Sequence, residues 1–324
     1  ESFSEGTRLF EHLLANAVPD EQALKELINN TLKAREDDKK NKGIIHRRAM
    51  MNYAKYGSDN PLNNVLNEEE LRELDAEKLA ERIRGLNDYK HLVFYYGSLK
   101  PEEAKTVIAK FHRTTGKFKN YPTENEYKQL DMKDNRVYFV DYDMVQTELL
   151  MISKSQQFNP EVLAYGSIFN EYFGAGLSSI VFQEIRESKA LAYSAYAYYS
   201  NPAKKDESHY VNAYIGTQTD KLPDAVNALL DLMKTMPKAN DQFEDARLAA
   251  LKKIETDRIT KTSIFWNYLA AQRLGLDHDT RKERYAQIQT MTIDDLNTFF
   301  DANISGRKYT FLVIGKKDDV DFDA

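Results

Sequence analysis

Residues Tyr172 to Ser200 read YFGAGLSSIVFQEIRESKALAYSAYAYYS, and this stretch decides how the rest of the chain is organised. Gly174-Ala175-Gly176 makes a glycine turn that leads into a helix, with Ser178 or Ser179 as its N-cap. Ile180, Val181 and Ile185 recur at helical spacing and face a core, and the helix ends in the charged turn Arg186-Glu187-Ser188-Lys189. Leu191-Ala192-Tyr193 then opens a strand. Arg186 at the helix end and Tyr193 at the strand start can therefore converge on one edge. A cation and a hydroxyl donor placed together suit holding a peptide carbonyl or a developing oxyanion, and they supply no nucleophile. The plainer alternative pairs Arg186 with Glu184 or Glu187 and packs Tyr193 on the sheet. The glycine turn could hold an anion at the helix N-terminus. It matches no phosphate-binding fingerprint, so a turn with an N-cap is the favoured reading.

Working outward, strands are expected at Val137 to Asp141, Gln146 to Ser153, Tyr193 to Tyr199, Tyr210 to Ile215 and Tyr309 to Ile314. Helices are expected around Val162 to Phe173 and Ser178 to Glu187, and they dominate from Thr217 to about Asn303. Upstream, Asp20 and Glu21 open an amphipathic helix through Leu24, Leu27, Ile28 and Leu32. Further helices are read over Ile44 to Tyr56, Glu68 to Leu74, Ala76 to Leu86 and Glu102 to His112. His91 to Tyr96 reads as a buried strand closed by Gly97. Arg113 to Asn135 breaks the periodicity and is the linker candidate.

The two sides of that linker end alike. Leu74 to Leu79 resembles Met291 to Leu296 at an offset of 217, and the strand ending at Gly97 resembles the one ending at Gly315 at an offset of 218. Asn52-Tyr53 stands opposite Asn267-Tyr268 at an offset of 215. Three matches in one register and one element order point to a duplication. With a repeat of about 217 residues, only the second half of the first copy precedes the linker. The expected division is residues 1–122 as the second half of an incomplete α+β unit, linker about 113–135, and residues 123–324 as a complete α+β unit.

Composition narrows the function classes. Hydrophobic residues make up 42% and charged residues 30% of 324, enough for a packed core. With 51 acidic and 45 basic residues the net charge is −6, which gives no electrostatic footprint for nucleic acid. Cysteine is absent, so neither disulfides nor thiolate metal sites exist. No apolar run approaches the roughly 20 residues of a membrane span. The opening Glu1-Ser2-Phe3-Ser4-Glu5 does not resemble a native start or a signal peptide.

The six histidines, His12, His46, His91, His112, His209 and His278, offer no pair at metal-ligand spacing. Leu9-Phe10-Glu11-His12 looks like the end of an inverted zinc motif HxxEH, but Arg8 stands where the first histidine belongs. No G-x-S-x-G nucleophile elbow exists. No catalytic residue and no metal ligand is therefore expected on this chain.

The segment Tyr172 to Ser200 resembles the C-terminal domain signature of the pitrilysin/insulinase family of zinc metallopeptidases. There a glycine-led helix ends in Arg-Glu and Leu-Ala-Tyr-Ser follows, with Arg and Tyr seven apart as Arg186 and Tyr193 are here. The likeness extends over Tyr210 to Thr217, a helical pair across Phe243 to Leu274 and the closing strand Tyr309 to Gly315. It implies an α+β fold, a mixed, largely antiparallel sheet covered by helices, with one partial and one complete unit. It further implies four homologous domains forming a clam shell around peptide, the first carrying HxxEH and a downstream Glu on zinc, the last contributing Arg186 and Tyr193. This chain resembles the end of the third domain and the whole fourth.

The resemblance therefore implies the C-terminal half of a zinc metalloendopeptidase, inactive alone. Zinc is expected in the N-terminal catalytic half of the same protein, which becomes the partner, and peptide is the expected substrate. A catalytically inactive structural or assembly protein of the same fold is the competing expectation. Homo-oligomer formation stays open, and so does the compartment, periplasmic or cytoplasmic.

Overall fold

The computed structural model describes residues 2–114 and 116–322. The chain forms two compact units, residues 1–40 with 63–126 and residues 41–62 with 127–324. The segment 41–62 thus packs with the second unit although it lies in the first stretch of sequence.

In the first unit the helices begin where their caps stand. The Asp20 side chain accepts from Ala23 N at the head of Glu21–Asp38, Asn67 and Glu70 form a capping box on Glu68–Arg72, and Asp75 accepts from Lys78 N on Ala76–Arg84. The core is small, with Leu24, Ile28, Leu71 and Ala76 packed on Leu32, Leu74 and Leu79. Helix Ser2–Ala15 buries no residue and leaves Leu9, Phe10 and Leu13 exposed. The strand expected at His91 to Tyr96 does not form. The stretch is irregular, with Leu92 68% exposed, and the nearest ladder is a single bridge from Tyr89 to Lys119. β propensity is realised only when a neighbouring strand accepts the backbone bonds, and no described residue of this unit provides one. Instead, Leu92, Val93 and Phe94 line a cavity of about 1650 Å³ together with Phe3, Phe10 and Leu14.

The second unit is built on a five-stranded mixed sheet: β1 Arg136–Asp141, β2 Gln146–Gln157, β3 Ser194–Ser200, β4 Ser208–Gln218 and β5 Thr310–Gly315. Their spatial order is β1-β5-β2-β4-β3, with β1 parallel to β5 and the other pairs antiparallel. All five strands stand within two residues of where alternation and apolar runs place their starts.

Leu149 to Ile152 on β2 is a continuous apolar run because both faces of the strand are covered. Leu149 and Met151 join the large core with Ile168, Phe169, Phe173, Leu229 and Phe300 from helices on one face. Leu150 and Ile152 face the other way, where Met50 and Ala54 of the segment 41–62 close over Tyr210, Tyr214 and Leu312. That segment is helical from Lys42 to Tyr56, with a π-helical turn at Ile45–Met50, and stops at Gly57 with φ 80°. Gly57 is a backbone reversal that glycine makes without steric cost.

Candidate functional site

Residues 172–200 fold as a helix laid against the edge of the sheet, followed by the edge strand β3 itself. Gly174 comes so close to β3 that a Cβ there would lie 1.8 Å from the carbonyl oxygen of Ala197. Gly176 adopts φ 109°. Ser179 is the cap: its Oγ donates to Gly176 O at 2.9 Å and accepts from Phe182 N at 3.4 Å. Ile180, Val181 and Ile185 are buried, as their spacing requires. From Phe182 to Ser188 the helix widens into a π-helical turn, and Ala190 at φ 49° reverses the chain into β3.

This reversal is tied at several points. Leu191 N donates to Ile185 O at 2.9 Å, Tyr193 N donates to Gly216 O at 2.9 Å, and Lys221 Nζ donates to Ala190 O at 3.1 Å. Thr217 Oγ1 adds a bond to Leu191 O. The positions of Arg186 and Tyr193 are thus set by backbone held from both sides.

Both side chains stay accessible. The Arg186 guanidinium lies 4.8 Å from the centroid of the Phe182 ring, and its Nε is 3.6 Å from Glu187 Oε1, with both side chains about half exposed. A solvated ion pair of this kind holds the cation weakly. Tyr193 is 53% exposed, and its hydroxyl accepts from Gln218 Nε2 at 3.0 Å. The hydroxyl proton remains free to donate. Of the plainer expectations, the pairing of Arg186 with Glu187 is present, while Tyr193 stays about half exposed with its hydroxyl reaching Gln218 at the end of β4. Each side chain has its own neighbours, Phe182 and Glu187 for one and Gln218 for the other, and no hydrogen bond or ion pair among the described residues joins the two.

The backbone of β3 is less available. Tyr199 N donates to Asn170 Oδ1 at 2.7 Å and Tyr199 O accepts from Asn170 Nδ2 at 3.1 Å, while Gly174 closes over Ala197. This edge is plugged, which protects it from strand addition.

Sequence reasoning missed Phe182 and Gln218. Phe182 stands four residues before Arg186, a helical spacing that could have flagged it. Gln218 is brought in by the pairing of β3 with β4, which no local signal encodes.

A second polar concentration went unread on the other sheet face. His46 is fully buried; its Nε2 donates to Leu312 O at 2.8 Å and its Nδ1 lies 3.5 Å from Glu148 Oε2. Lys42 Nζ pairs with Glu148 Oε1 at 2.6 Å. His46 and then Lys42 hold the Glu148 carboxyl down at about 2. Arg47 lies 5.0 Å over the Tyr214 ring, and burial first, then Glu148, pushes the Tyr214 hydroxyl up to about 12.

Histidines that looked isolated also meet. His91 Nε2 and His112 Nε2 share a hydrogen bond of 2.7 Å, and His112 Nδ1 is 2.7 Å from Glu11 Oε1. Two nitrogens on one tetrahedral zinc would stand roughly 3.3 Å apart, so this pair is bonded to itself. Among the described residues no three His, Asp or Glu side chains form a group suited to a metal ion. No helix there is long and apolar enough to cross a membrane.

Known proteins agree with this architecture. Residues 71–254 match the family model described as the peptidase M16 inactive domain. The structure of a peptidase M16 inactive domain from Pseudomonas fluorescens is similar at TM-score 0.69 and 14% identity, covering 96% of this chain and 74% of that one. The ferredoxin protease FusC, solved in complex with Arabidopsis ferredoxin, is similar at TM-score 0.71 and 12% identity, covering 97% of this chain and 34% of that one. A chain of Complex III2 from Candida albicans is similar at TM-score 0.63 and 11% identity, covering 99% and 78%. No curated protein sequence matches. The fold and the matched model together define an α+β peptidase-type domain without the catalytic motif. The chain belongs to the M16 family of peptidases, the pitrilysin/insulinase family, as its inactive C-terminal part.

Proposed function

We propose that this chain is the C-terminal, peptide-holding half of a zinc metalloendopeptidase. The observation that supports this most is the state of Arg186 and Tyr193: held by their backbone and about half exposed, the cation only weakly paired with Glu187 and the hydroxyl accepting from Gln218 with its own proton left to donate. In this reading the N-terminal half of the same protein supplies HxxEH and zinc, which polarises the scissile carbonyl. Arg186 and Tyr193 add donors to the carbonyl oxygen as charge builds on it. The apolar cavity of the first unit, lined by Phe3, Phe10, Leu92 and Phe94, takes the strands of the rest of its repeat and gives 91–96 the partners it lacks.

The full-length polypeptide should bind one zinc per chain and cleave extended peptides, losing activity to a chelator, while residues 1–324 alone should do neither. A full-length protein with no zinc and no cleavage would instead favour an assembly role. That second reading is supported by the likeness in fold to a chain of Complex III2 from Candida albicans.

A further inference from the structure

The second unit carries a cavity of about 450 Å³ that the peptidase reading does not use. Its apolar wall comes from Leu163, Ile259, Ile264, Tyr268 and Leu276, and Arg284 on helix Arg281–Thr290 reaches into it. Arg284 has no ion pair among the described residues, and its Nε is withdrawn from solvent without a hydrogen-bond partner. The neighbouring carboxylates are committed elsewhere. Asp279 Oδ2 pairs with Arg281 Nη2 at 2.6 Å, Asp277 pairs with His278 at 2.5 Å, and Glu283 lies 3.5 Å from the same histidine.

The Arg284 guanidinium is partly withdrawn from water and attracted by Asp279 at a distance, with no described carboxylate on its fork, and an anion that supplies two oxygens there adds charge-assisted bonds. The remaining wall tells which anion. Apolar side chains favour an apolar body, and the volume falls in the lower range of small-ligand pockets. Inorganic phosphate has no apolar body to bury against this wall, so charge alone does not fill the site.

We propose that this cavity binds a monocarboxylate with an apolar body, its carboxylate on Arg284 and its chain among Leu163, Ile259, Ile264 and Leu276. The site is lined by none of the residues of the Arg186–Tyr193 edge, so it stands whether or not the protein is part of a peptidase. Free aliphatic acids and the C-terminus of an apolar peptide share this chemistry.

Calorimetric titration of the chain with octanoate, octanamide, N-acetyl-leucyl-leucine, its amide and inorganic phosphate tests it. The acids should bind roughly tenfold or more tightly than their amides, the loss expected when one charge-assisted bond goes. Phosphate should bind more weakly than either acid. Tighter binding of the acetylated dipeptide identifies a peptide terminus as the source, and tighter binding of octanoate identifies a free acid. Arg284→Met should abolish the preference for acid over amide while its melting temperature stays level or rises, because it removes an unpaired charge. Equal binding of acid and amide to the wild-type chain, or no binding of either acid, overturns the proposal whatever the variant does.

Discussion

Glu148 Oε1 on β2 lies 2.6 Å from Lys42 Nζ, and Glu148 Oε2 lies 3.5 Å from His46 Nδ1, so one carboxylate fastens the segment 41–62 to the sheet. The two partners stand about a hundred residues before it, and no local pattern announces the contact.

The Glu148 carboxyl falls from its ordinary value of 4.5 to about 2 in the fold, through His46 first and Lys42 next. A carboxyl depressed on folding stabilises the native state above its unfolded value, and that share is lost as pH falls from about 4.5 towards 2. After a discount for solvent screening, Glu148→Gln should cost about 2–3 kcal/mol at pH 7, and the gap to the wild type should narrow steadily below pH 4.5. Urea denaturation of both proteins from pH 7 to pH 3.5 measures it. A gap that is constant with pH would mean that the pair contributes packing alone.

Gly174 has no room for a side chain, since the nearest obstacle is the Ala197 backbone oxygen in a paired strand, which cannot swing aside. Gly174→Ala should destabilise the second unit by roughly 2–4 kcal/mol, or prevent folding. Gly6 is the contrast. It lies within helix Ser2–Ala15 with nothing within 4 Å of the place an alanine methyl would take, so Gly6→Ala should add about 0.5–1 kcal/mol to local helix stability. Thermal melts of the two variants should shift in opposite directions.

Asn170 is the plug on β3, bonding both backbone groups of Tyr199. Asn170→Ala leaves a donor and an acceptor unpaired at a sheet edge, at a cost of about 1–3 kcal/mol. It also opens the edge to other chains, so concentration-dependent association should rise by light scattering while the wild type stays unchanged. A variant that loses stability but gains no association would show that Gly174 and its helix seal the edge without Asn170.

Much of this architecture was written locally. Asp20, Asn67, Asp75 and Ser179 mark helix starts by their own side chains, and the apolar run at Leu149 to Ile152 marks a strand buried on both faces. His91 to Tyr96 carries the same strand chemistry and forms no strand, because a ladder is a property of two segments. The helix over 44–56 was legible, but its place on the sheet was not, since His46 meets Leu312 across 266 residues. Arg186 and Tyr193 were proposed from a helix end and a strand start seven residues apart together with a family resemblance, whereas Gln218 needed the register of two strands.

The segment 41–62 has a further consequence for proteolysis. Met50 and Ala54 cover Leu150, Ile152, Tyr210, Tyr214 and Leu312, so residues 127–324 produced alone would expose that apolar face. From Tyr127 onward the chain is fastened to the second unit, with Leu130 N donating to Lys55 O at 2.7 Å and Asp131 pairing with Lys154 at 2.8 Å. Limited trypsin digestion should therefore cut between residues 113 and 126 before it cuts at Lys128 or Lys133. The product should stay associated until denaturant is added, and residues 127–324 expressed alone should be poorly soluble. First cleavage within residues 177–215 would contradict the division.

The decisive variants for the proposed function are at Tyr193 and Arg186 in the full-length protein. Tyr193→Phe removes one hydroxyl and keeps the ring; the hydroxyl's described partner is Gln218, exposed at the surface, so folding should hardly change. If that hydroxyl donates to the developing oxyanion, kcat should fall by roughly 10²–10³-fold, the usual loss for one such donor. Arg186→Ala should raise KM as well, because a cation binds the ground-state carbonyl too. Its packing on Phe182 and its weak pair with Glu187 predict a stability loss of under about 1 kcal/mol. Gln218→Ala frees the Tyr193 ring without removing its hydroxyl and should give an intermediate loss in kcat. A structural role predicts the opposite split, with turnover intact and melting temperatures lowered. Wild-type turnover in Tyr193→Phe, with cleavage otherwise dependent on zinc, would remove Tyr193 from the reaction and leave the chain a role in enclosing the substrate alone.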